Sequence, residues 1–150
     1  MLIKLFNFNF YSADKFWDDL QEELSKLTPK PKYGQKDTDV NEDPDAKSPE
    51  VEILNISNNS LTSKDIFSLE KFPNLVDFNA RSNDIRTVPA GIEYFTKIQR
   101  LDLSNNNIVT LKGVDSLTTL IRLNCGKNRI ELLPDKFGNL QKLKYLRCGA

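Results

Sequence analysis

The stretch Ile98-Gln-Arg-Leu101-Asp-Leu103-Ser-Asn-Asn106-Asn-Ile108 decides how this chain folds. Leu101 and Leu103 alternate with polar neighbours at the period of a strand, which turns both side chains to one face. The arrangement returns upstream in Val51-Glu-Ile-Leu54-Asn-Ile56-Ser-Asn-Asn59-Ser-Leu61 and Leu75-Val-Asp-Phe78-Asn-Ala80-Arg-Ser-Asn83-Asp-Ile85. It returns downstream in Leu120-Ile-Arg-Leu123-Asn-Cys125-Gly-Lys-Asn128-Arg-Ile130, and Leu143-Lys-Tyr-Leu146-Arg-Cys148 begins a truncated fifth copy. The copies start at 51, 75, 98, 120 and 143, a period of 22 to 24 residues.

A strand that recurs at this period cannot bury its apolar side alone. Stacked coils can, because each covers the open edge of its neighbour and all share one core. The inward pairs expected are Leu54/Ile56, Phe78/Ala80, Leu101/Leu103, Leu123/Cys125 and Leu146/Cys148. Between strands a second apolar set recurs: Ile66, Leu69 and Phe72, then Val88, Ile92 and Phe95, then Leu111, Val114 and Leu117, then Leu133, Phe137 and Leu140. These predict short helical or irregular segments packed behind the sheet. Pro89 and Pro134 open two of them, where a fixed φ and a missing N–H are tolerated.

The asparagines answer a separate need. After each strand the chain turns inward and brings backbone polar groups into a dry interior. A carboxamide supplies both donors and an acceptor, so Asn59, Asn83, Asn106 and Asn128 are read as a structural column rather than a ligand site.

With the motif L-x-x-L-x-L-x-x-N-x-L repeated in register, the chain resembles intracellular leucine-rich-repeat proteins. Val88-Pro89-Ala-Gly-Ile92-Glu-Tyr-Phe95 and Leu133-Pro134-Asp-Lys-Phe137-Gly-Asn-Leu140 resemble the coils of Ras-group and Scribble-like scaffolds. Leu111-Lys-Gly113-Val114-Asp-Ser-Leu117 is similar to the shorter coils of phosphatase-regulatory members, so the coils are mixed and no subfamily follows. The resemblance implies an α/β fold: a leucine-rich-repeat solenoid with a curved parallel sheet and a short helical or irregular convex side.

Ahead of residues 51–150 lie two different segments. Residues 1–27 contain an amphipathic helix over 12–27, capped by Ser12, with Phe16, Trp17, Leu20, Leu24 and Leu27 on one face. It is expected to cover the open end of the repeats, with partner binding as the alternative. Residues 28–50 read as a flexible charged linker, because Pro29, Pro31, Pro44 and Pro49 fall there beside few apolar residues.

Composition narrows the function. The 150 residues carry 21 basic and 21 acidic side chains, which argues against a general nucleic-acid binder. Histidine is absent, which removes the commonest general base and metal ligand. No glycine-rich phosphate loop occurs, and no catalytic, cofactor or metal residues are assigned. Cys125 and Cys148 are too few for a disulfide framework. They share one inward position in adjacent coils and are read as small buried apolar residues, with a disulfide as the alternative.

No apolar run approaches the ~20 residues of a membrane span, and the N-terminus lacks the pattern of a signal peptide. A cytoplasmic or nuclear protein is expected. The chain stops at Cys148-Gly149-Ala150, before the fifth copy reaches its asparagine. That stop is consistent with a piece of a longer chain, or with a dimer formed through the uncapped last coil.

The resemblance implies a non-catalytic scaffold that binds a partner protein on the concave sheet face. The alternative is a regulatory or recognition module of a phosphatase, kinase or ubiquitin-ligase assembly. The exposed strand positions nominate Arg100, Asp102, Arg122, Asn124, Lys127, Lys144, Tyr145 and Arg147 as partner-binding residues. Cations gather there towards the C-terminal end, which suits an acidic partner surface.

Overall fold

The computed structural model describes residues 18, 19, 22, 51–66 and 72–149. Asp18, Asp19 and Glu22 are helical. The remainder of the expected helix, the linker over 28–50 and Leu69 lie outside the described residues.

Five strands of three residues each form one parallel sheet in chain order: β1 (Ile53–Asn55), β2 (Asp77–Asn79), β3 (Arg100–Asp102), β4 (Arg122–Asn124) and β5 (Tyr145–Arg147). The register follows the sequence repeat. Leu54 lies beside Phe78, Phe78 beside Leu101, Leu101 beside Leu123, and Leu123 beside Leu146. The described repeats are therefore a solenoid of about four turns, with little helix among them. Its returning segments are single 3₁₀ turns at Ile92–Tyr94, Val114–Ser116 and Phe137–Asn139. A coil of 22 to 24 residues leaves room for little more than one such turn.

The core is one continuous apolar column between the sheet and these turns. Phe72, Phe78 and Phe95 are its largest buried side chains. Phe78 meets Phe95 edge-to-face, with ring centroids 5.6 Å apart. Packing of this kind adds roughly 0.5–1.5 kcal/mol to simple burial.

Two expectations about the core need correction at its C-terminal end. Leu146, read as an inward residue, is 46 % exposed, and Leu133, read as part of the convex core, is 47 % exposed. Cys148 is exposed as well. Leu146 and Cys148 sit on or beside β5, which among the described residues has a neighbouring strand on one side only.

The cysteines also differ from their expected free state. Cys125 and Cys148 are paired as a disulfide, and no described cysteine is free. Their Cα atoms are 4.8 Å apart, the spacing of neighbouring strands in a sheet and within the range a disulfide spans. Strand stacking alone brings the two residues side by side.

The asparagines tie each coil to the one before it. Asn83 Nδ2 donates to Ala80 O in its own coil and to Ile56 O in the preceding one, each at 3.0 Å. Its Oδ1 accepts the Leu61 amide at 3.1 Å. Asn106 repeats the pattern with Leu103 O, Ala80 O and the Ile85 amide. Asn128 repeats it with Cys125 O, Leu103 O and the Ile108 amide. Asn59 donates to Ile56 O and Ser57 O. Immediately before each of these asparagines the backbone is left-handed: Asn58, Ser82, Asn105 and Lys127 have φ between 54° and 57°.

Candidate functional site

The sheet face turned away from the core carries a shallow depression of about 610 Å³ over β2 to β5. Short strands in register make it, since each coil adds one side chain to each column of the face. One column runs Ile53, Asp77, Arg100, Arg122, Tyr145, and the next runs Asn55, Asn79, Asp102, Asn124, Arg147. Arg100, Asp102, Arg122, Asn124, Lys144, Tyr145 and Arg147 all line the depression. Lys127, nominated with them, does not line it. It sits on the left-handed turn that leads into Asn128.

Electrostatics divide this face in two. Over β2 and β3 the charges are already engaged. Arg100 Nε donates to Asp77 Oδ2 at 2.8 Å, in a pair open enough to solvent that its net contribution is within ~1 kcal/mol. Both carboxylate oxygens of Asp102 are hydrogen-bonded, to neutral groups. Its Oδ1 accepts from the Ser104 amide at 2.9 Å and from Ser104 Oγ at 2.6 Å, and its Oδ2 accepts from Asn124 Nδ2 at 2.9 Å.

Over β4 and β5 the balance is different. The Arg122 guanidinium lies 4.3 Å above the centre of the Tyr145 ring, a cation–π contact that leaves its charge uncancelled. Among the described residues, no carboxylate pairs with Arg122, Lys144 or Arg147. Gly126 lies close to the backbone and side chain of the next coil. A Cβ there would come within 3.5 Å of Arg147 Cγ and Nε, and within 3.0 Å of Gly149 O. The tight approach is to the Gly149 carbonyl, whereas the Arg147 contacts would be ordinary van der Waals ones.

Sequence reasoning missed a second structural row on this face. Asn55, Asn79, Asp102 and Asn124 each accept, through Oδ1, the backbone amide two residues further on. These Asx turns end the strands and leave only part of each side chain for a partner. Recurrence of Asn or Asp two residues before the turn was the available signal. A solvated strand position would display the same residue types.

A second hollow is lined by the polar residues Thr62, Ser63, Lys64, Asp84, Arg86, Thr87 and Asn107. Its Ser63 hydroxyl is already bonded to the backbone of Arg86 and Thr87. No helix among the described residues is long and apolar enough to cross a membrane.

Comparison with known proteins agrees with this geometry. Two family models described as leucine rich repeat match residues 49–108 and 97–120. An adenylate cyclase of Schizosaccharomyces pombe is 34 % identical over 100 residues, which cover 65 % of this chain and 6 % of the relative. A human volume-regulated anion channel subunit is 32 % identical over 99 residues, covering 64 % of this chain and 12 % of the relative. This chain thus corresponds to a small part of either curated relative. Among solved structures, a Leptospira interrogans leucine-rich-repeat protein superposes with a TM-score of 0.60 at 29 % identity, covering 66 % of this chain and 25 % of that one.

Proposed function

This chain belongs to the leucine-rich-repeat proteins, and from that premise we propose that it is a non-catalytic module binding a partner protein across the open sheet face. The partner lays an acidic segment over β4 and β5, where Arg122, Lys144 and Arg147 receive its carboxylates and Tyr145 packs against its chain. One observation supports this above others: the only cation over β2 and β3, Arg100, is paired with Asp77, whereas three cations around the same depression have no carboxylate partner among the described residues. Buried Arg and Tyr side chains are also the types that most often dominate interface energies.

A second reading has support of its own. The curated relatives carry the matching segment as 6 % and 12 % of much longer chains. The recognition face then serves as the docking part of a larger assembly, and its chemistry is unchanged.

Fluorescence anisotropy tests the reading with a labelled Glu-rich peptide and a Gln-substituted peptide of equal length. The full chain should prefer the acidic probe, and the preference should fade as salt rises. The Arg122→Glu/Arg147→Glu variant should bind the acidic probe at least about tenfold more weakly. Equal binding of both probes, or an unaffected double variant, would remove the proposal.

A further inference from the structure

Four successive coils place an Asx side chain at the same point of the open face, and only one of them is charged. Asn55, Asn79 and Asn124 hold their turns through Oδ1 at 3.0, 3.0 and 3.3 Å, and Asp102 does so at 2.9 Å. The bond needs a single oxygen, which a carboxamide supplies equally well. Neighbouring asparagines are also compatible with the stack, because Asn55 and Asn79 are direct register partners. The negative charge of Asp102 is therefore not something its turn requires.

That charge is held in a fixed place. Ser104 and Asn124 clamp both carboxylate oxygens, and Asp102 stays half-buried on the wall of the depression. Arg122 stands in the adjacent coil, and Arg147 lies two coils on in Asp102's own column, roughly 10 Å away at ordinary strand spacing. On the other side, Asp77 already neutralises Arg100. Along the face, the charge changes from −1 over Asp77, Arg100 and Asp102 to +3 over Arg122, Lys144 and Arg147.

We propose that Asp102 is a specificity-determining residue: it repels an acidic segment from β3 and so fixes the segment's position over β4 and β5. Specificity of this kind comes from an unfavourable contact at the wrong register rather than a stronger one at the right register. The inference rests on the acidic-partner reading above and adds the element that sets its limit on the N-terminal side.

The test uses the full chain, the labelled Glu-rich peptide and its Gln counterpart at low salt. Asp102→Asn should bind the acidic probe about two- to tenfold more tightly, with no change for the neutral probe and with the gain lost in high salt. Asn124→Asp, which keeps the turn oxygen, gives up the hydrogen bond to Asp102 and adds a carboxylate one coil nearer Arg147, should weaken the acidic probe by a similar factor. Circular dichroism on both variants confirms that the fold is retained, and their opposite signs separate charge from damage. If Arg122→Glu/Arg147→Glu weakens the acidic probe while both Asx variants bind like the parent, the role of Asp102 is overturned and the acidic-partner reading survives. If the parent chain shows no preference for the acidic probe, both are overturned.

Discussion

Asn106 reaches back across the boundary between coils to donate a hydrogen bond to the carbonyl of Ala80 at 3.0 Å. The same carbonyl accepts from Asn83, in Ala80's own coil, also at 3.0 Å. Two asparagines from successive coils therefore share one inward oxygen, and the arrangement recurs at Ile56 and Leu103.

Asn106→Asp should destabilise the protein by about 2–5 kcal/mol. The substitution keeps the acceptor for the Ile85 amide but removes the donor from Leu103 and Ala80 and turns a carboxylate towards their oxygens. Urea denaturation followed by circular dichroism measures the loss. A change within about 0.5 kcal/mol would show that the column does not carry this load.

Lys127→Asn should stabilise the fold by about 0.5–1 kcal/mol. Lys127 has φ 54°, and asparagine enters the left-handed region at lower cost than a long side chain. Asn58 and Asn105 already fill the equivalent position in other coils. The midpoint of urea unfolding should rise with no change in slope.

The repeat and its register were legible in the sequence because each is fixed by one period. Strand positions and the asparagine column followed from placing the five starts in line. The pairing of Asp77 with Arg100 had a signal too, since both are the third residue of their copy and so must lie side by side. Other features were not legible. Whether an exposed asparagine bonds to its own backbone or to solvent depends on φ and ψ, which composition does not specify. Lys127 looked like one more cation on the recognition face, but the left-handed turn carries it away from the depression. Leu133 and Leu146 carry the core pattern, yet burial depends on a neighbour stacked above, which a residue's own periodicity does not report.

Burial predicts a sharp contrast along one column. Phe78→Ala should cost about 3–5 kcal/mol, because Phe78 is fully buried between coils and packs on Phe95. Leu146→Ala, at the equivalent strand position of the last coil, should cost under about 1 kcal/mol in this chain because half its surface is already in water. Chemical denaturation of the two variants under one set of conditions makes the comparison. Equal losses would mean that the coils do not contribute according to their burial.

The direction of the asparagine bonds gives the solenoid a polarity. Amides of Leu61, Ile85 and Ile108 are each satisfied by an asparagine that lies 20 to 22 residues later in the chain. A backbone amide in one copy thus depends on a side chain supplied by the copy after it, so taking away any one of these asparagines leaves an amide unsatisfied in the preceding copy rather than in its own.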